Sequence, residues 1–100
     1  MKNMTSKEIM TKIKENLGRI QGYGAKRIGV FGSWVREEQT PESDVDILVE
    51  FEEGKISFDN YMDLKFFLED SLGRKVDLVI KEDVKAELKP YILGEVQYVS

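Results

Sequence analysis

Asp44 and Asp46 stand two residues apart at the head of the run Val45 to Phe51, whose β-branched and apolar residues predict a strand. Alternate side chains of a strand share a face, so the pleat sends both carboxylates to one side and Val45 to the other. Like charges that close repel unless something positive lies between them, and for hard oxygen ligands one or two Mg²⁺ ions are the usual answer. An acidic pair at a strand end is also commonly just solvated. Asp77 interrupts the apolar run Val76 to Ile80, where a carboxylate is costly unless it is paired or metal-bound. The competing account of Asp77 is an edge strand with one wet face. Gly32 and Ser33 close a third apolar run and precede a short helix through Trp34, Val35 and Arg36. Backbone N–H groups at that turn and the Ser33 hydroxyl could hold phosphate oxygens, with Arg36 adding charge one turn later. Standing alone, Gly-Ser is equally a tight turn with a serine cap.

These residues need a scaffold, and the rest of the chain supplies one. Thr5 and Glu8 have the spacing of a capping box, and Ile9, Ile13, Leu17 and Ile20 recur at helical spacing, which predicts an amphipathic first helix ended by Gly22 and Gly24. Arg27 to Phe31 predicts a buried strand that turns abruptly at Gly32. After a polar loop containing Pro41 comes the strand Val45 to Phe51. Phe58 to Leu72 places Tyr61, Leu64, Phe67, Leu68 and Leu72 on one side, a helix with a core face ended by Gly73. Its aromatic stripe reads as core. Val76 to Ile80 is the third strand. Pro90 then permits a short helical piece ending near Gly94, and Val96 to Val99 is a weak candidate for an edge strand. The order predicts a mixed α/β or α+β fold, a small central sheet with flanking helices, without fixing strand directions. Trp34, Tyr91, Ile92, Tyr98 and Val99 are apolar residues available to a partner or to completing a small core.

Composition narrows the chemistry. With 100 residues and 41% hydrophobic content, one domain spanning residues 1–100 is expected. The net charge of −4 and scattered Lys and Arg residues leave no basic stripe, so direct nucleic-acid binding is not expected. The chain has no cysteine and no histidine, which removes disulfides, thiol catalysis and the commonest base and metal ligand. Chemistry must run on carboxylates and hydroxyls. The N-terminal segment carries Lys2, Lys7, Glu8, Lys12 and Lys14, and no long uncharged apolar run occurs, so a cytoplasmic protein without a membrane span is expected.

Gly32-Ser33-x-x-Arg36 followed by Ser43-Asp44-x-Asp46-x-x-Val49 resembles the signature of the minimal nucleotidyltransferases in the DNA polymerase beta superfamily. The likeness continues through Glu50 and Phe51, and Asp77 falls where that family places its third carboxylate. The resemblance implies a palm-like nucleotidyltransferase fold and transfer of a nucleotide, with ATP as substrate, onto a hydroxyl. It implies that Asp44 and Asp46 coordinate two Mg²⁺ ions, that Asp77 is a ligand, a base or both, and that Gly32, Ser33 and Arg36 contact the triphosphate. Many small members are paired with a HEPN-type ribonuclease toxin and act as antitoxin by placing AMP on a toxin tyrosine, so a HEPN-type toxin is the partner implied here. One departure is visible: many members have glycine after the arginine, and this chain has Glu37. It motivates an alternative, a catalytically weak module that regulates a partner by binding alone. A transferase for small-molecule hydroxyls fits less well, since no second domain is present to form an acceptor pocket.

Overall fold

The structure, a computed structural model, describes residues 5–99; Lys2, with the rest of the first four residues, and Ser100 lie outside the described residues. The chain begins with helix α1 (Ser6–Glu15), opened by the capping box: the Glu8 N–H donates to Thr5 Oγ1 at 3.1 Å, and the Thr5 N–H donates to Glu8 Oε1 at 3.3 Å. The expected single helix is two. Asn16 breaks it, because its side-chain amide donates to the Lys12 carbonyl at 2.7 Å and competes with the helical ladder, and the chain resumes as α2 (Leu17–Gly22). Ile9, Ile13 and Ile20 stay buried across the break.

Strand β1 (Ala25–Phe31) leads through Gly32 into the single-turn helix α3 (Ser33–Arg36), and β2 (Val45–Phe51) follows the polar loop. Helix α4 (Phe58–Leu72) is capped by Ser57, whose hydroxyl accepts the Asn60 N–H, and is stopped by Gly73 in the left-handed region. Strand β3 (Val76–Ile80), one 3₁₀ turn (Lys81–Asp83), α5 (Lys89–Glu95) with Pro90 in its first turn, and the two-residue β4 (Gln97–Tyr98) complete the chain.

The sheet order is β3-β2-β1-β4. β1 runs antiparallel to both β2 and β4, whereas β2 and β3 are parallel, with α4 as the crossover between them. Period-two alternation divides the two faces. Val45, Ile47, Val49 and Phe51 of β2 join Ile28 and Val30 of β1 and Val76 and Leu78 of β3 in a core closed by Ile9, Ile13, Ile20, Leu64, Leu68 and Leu72. Asp44, Asp46, Leu48 and Glu50 project from the other side. The α4 stripe is core as its spacing implied, with Tyr61 and Phe67 packed against the cluster. Trp34 is also core, fully buried, and so is not a free surface for a partner. Of the C-terminal apolar residues, Tyr91 is exposed, whereas Ile92, Tyr98 and Val99 are half-buried. No helix among the described residues is long and apolar enough to cross a membrane.

Candidate active site

Register brings the candidate residues together. Asp46 is the Cα partner of Asp77 across the parallel β2–β3 pair and of Phe31 across the antiparallel β1–β2 pair. The second carboxylate of the acidic pair therefore lies between the third carboxylate and the turn that starts at Gly32. Asp44 sits one residue before β2. Asp77 lies on an edge strand with an exposed side chain, so the wet-edge account of its position and its place beside Asp46 are both true.

The turn is built around this approach. Gly32 has φ 77 and ψ −150, a backbone conformation that side-chain-bearing residues rarely adopt. A Cβ there would overlap the Asp46 carboxylate and stand 2.9 Å from its Cγ. Glycine is required on both counts. The following Trp34 locks the turn to the acidic loop: its indole Nε1–H donates to the Asp44 carbonyl at 3.1 Å, and the Arg74 guanidinium lies 5.0 Å from its ring centre while donating to the Pro41 carbonyl at 2.9 Å. The Ser6 hydroxyl of α1 donates to the Trp34 carbonyl.

Electrostatics make Asp46 the costly member. Its pKa is pushed up to about 6, first by desolvation, then by the charges of Asp77 and Asp44, with Arg36 pulling the other way and Glu95 adding to the rise. The donor set is all hard oxygen, and a divalent cation is the species that would remove this cost, so the residues fit Mg²⁺. As they stand, no three acidic side chains among the described residues are gathered closely enough to clasp an ion.

Arg36 is engaged within the protein. Its Nε donates to Glu38 at 2.7 Å, and its Nη1 reaches both oxygens of Glu95 at 3.2 and 3.0 Å. Glu95 also accepts the Gly32 N–H at 2.8 Å. Sequence reasoning missed Glu95: it is 63 residues from Gly32, and a lone glutamate after Gly94 carries no local signal. Glu37, the departure from the resembling pattern, has φ 59 and ψ 35 and is the one positive-φ residue other than glycine among the described residues. It takes the left-handed conformation that glycine adopts most readily, so the loop survives without the glycine.

Comparison with known proteins bears on the family and the fold. The chain is 45% identical over 91 residues to the protein adenylyltransferase MntA of Thermococcus cleftensis, a match spanning 91% of this chain and 89% of that one. Among solved structures it is similar to a candidate minimal nucleotidyltransferase, with TM-score 0.84, 33% identity and coverage of 97% and 98% of the two chains. At 21% and 17% identity it shares its fold with chains in two further structures. One is a toxin–antitoxin complex with AMP-PNP, with TM-score 0.69 and coverage of 97% and 73%. The other is a complex of a tri-AMPylated HEPN toxin with MNT antitoxin from Shewanella oneidensis, with TM-score 0.65 and coverage of 91% and 71%. Residues 10–99 match the nucleotidyltransferase domain family, and with these relatives the match establishes that the chain belongs to that family and is a nucleotidyltransferase.

Proposed function

We propose that the chain transfers AMP from ATP to a hydroxyl, a tyrosine, of a HEPN-type toxin partner and so acts as the antitoxin of a pair. The observation that carries this reading is the register that places Asp46 beside Asp77, with Asp44 one residue ahead of the same strand and the Gly32 turn against the Asp46 carboxylate. The adenylyltransferase name of the Thermococcus relative and the toxin–antitoxin complexes that share the fold support the choice of group and partner.

Asp44 and Asp46 would hold the metal, with Asp77 as a further ligand, as the base, or as both. Two Mg²⁺ ions bound there would supply charge neutralisation on the triphosphate and acidify the attacking hydroxyl. With no histidine or cysteine in the chain, its carboxylates are the groups it offers as base for the proton leaving the tyrosine. The tyrosine oxygen attacks the α-phosphorus, the bond to the β-phosphate oxygen breaks, and pyrophosphate leaves. Gly32 N–H, Ser33 and Arg36 steady the β and γ phosphates, where negative charge accumulates as that bond breaks. The binding-only alternative, motivated by Glu37 and the small size of the chain, makes the opposite prediction for the same carboxylates: control of the partner should survive their loss.

Labelled ATP tests this reading. The partner should take up phosphorus label from the α position and none from the γ position. Replacing Asp44 and Asp46 together by Asn should abolish uptake while leaving the two proteins able to bind. Label from γ would mean phosphoryl and not adenylyl transfer, and undiminished uptake with the double variant would remove these carboxylates from the mechanism.

A further inference from the structure

The carboxylate of Glu95 takes up the contacts that an incoming triphosphate needs. Its Oε1 accepts the Gly32 N–H at 2.8 Å, and its two oxygens lie 3.2 and 3.0 Å from Arg36 Nη1. Carboxylate and phosphate oxygens accept from the same donors, so the single Gly32 N–H and the Arg36 Nη1 donors held by Glu95 cannot serve a phosphate at the same time. The placement is built into the fold. Glu95 ends α5 and is followed by Val96 and β4, which pairs with β1 opposite Gly29 and Val30. A Cβ at Gly29 would come within 2.8 Å of Val96 Cγ2 and 2.9 Å of the Gln97 carbonyl oxygen, so only glycine lets this segment lie so close to β1. That approach sets Glu95 beside the Gly32 turn. The ion pair has side chains 49% and 27% exposed, and pairs that wet contribute little to folding. Its consequence lies in what it occupies.

We propose that Glu95 is an internal anion competing with the triphosphate for Gly32 and Arg36, so that Mg·ATP binds by displacing its carboxylate. This rests on the reading of Gly32, Ser33 and Arg36 as the triphosphate contacts. Glu95 then sets nucleotide affinity without being a nucleotide ligand.

Calorimetric titration of the full chain with Mg·ATP at fixed ionic strength tests the competition. Glu95→Gln, which keeps the shape and removes the charge, should bind about tenfold more tightly than wild type. Glu95→Asp, one methylene shorter, should also tighten binding. In an Arg36→Ala background the gain from Glu95→Gln should shrink, because the two act through one contact. Unchanged or weaker binding by a folded Glu95→Gln protein overturns the proposal. Should a thermal melt show that variant unfolded, Glu95→Asp decides by the same criterion. Failure here is distinct from failure of adenylyl transfer: label can reach the partner while Glu95→Gln leaves affinity unchanged, and affinity can rise in a chain that labels nothing.

Discussion

A carboxylate pressed against a glycine turn and flanked by two other carboxylates raises the energy of the folded chain for as long as it is ionised. Asp46 is that group, its pKa lifted from 3.8 to about 6. The folded state holds the Asp46 proton more tightly than the unfolded chain does, so this residue's penalty is absent below about pH 4, grows as pH rises, and is fully present above about pH 6. Roughly two pKa units correspond to about 3 kcal/mol, reduced to about 1–2 kcal/mol for a half-buried, solvent-screened group. Asp46→Asn should therefore raise stability by that amount at pH 7 and by nothing at pH 4, read from urea melts at both pH values. It should also abolish transfer. Equal stability of the two proteins at pH 7 would mean that Asp46 carries no such cost. Glu37 offers a second residue-scale test. Its left-handed backbone costs a side-chain-bearing residue more than it costs glycine, so Glu37→Gly should stabilise the chain by about 0.5–1 kcal/mol in the same assay. A loss of stability would show that the Glu37 side chain contributes more than its backbone costs.

At the scale of elements, the site depends on a helix of one turn that could not stand alone. Trp34 anchors α3 by burying its ring in the core and donating to the Asp44 carbonyl. Trp34→Phe should cost about 2–3 kcal/mol from the lost volume and hydrogen bond, and should slow transfer several-fold because Asp44 is no longer tied to the turn. Loss of stability with an unchanged rate would uncouple the indole from the site. The elements that frame the carboxylates were legible in the sequence: β2, α4 and β3 begin and end where the apolar runs and Gly73 indicated. Those runs are self-contained, and local periodicity suffices for them. Strand direction and register depend on long-range pairing, so the side-by-side placement of Asp46 and Asp77 could be expected only through the family resemblance. Asn16 split a helix whose apolar spacing continues unbroken, because one side-chain amide diverted a carbonyl. Trp34 was open to a partner or to the core and is core, and Glu95 was invisible because its partners lie in distant parts of the chain.

Taken whole, the molecule is an acidic chain whose candidate site adds the negative charges of Asp44, Asp77 and Glu95 to that of Asp46, with Arg36 opposing them. An anionic nucleotide would be repelled from such a surface unless cations arrive with it. Mg²⁺ at millimolar concentration should therefore raise the melting temperature of the wild-type chain and have a smaller effect on the Asp44→Asn, Asp46→Asn double variant, by linkage between binding and folding. Equal shifts in both proteins would place the ion elsewhere. Whether these carboxylates move AMP onto another protein is read most directly from the intact mass of the proposed HEPN-type partner after incubation with ATP and Mg²⁺, with the double variant run beside wild type. A gain of one or more AMP units is expected with wild type and none with the variant. No gain with any of the four nucleoside triphosphates, while the two proteins bind tightly, would contradict it.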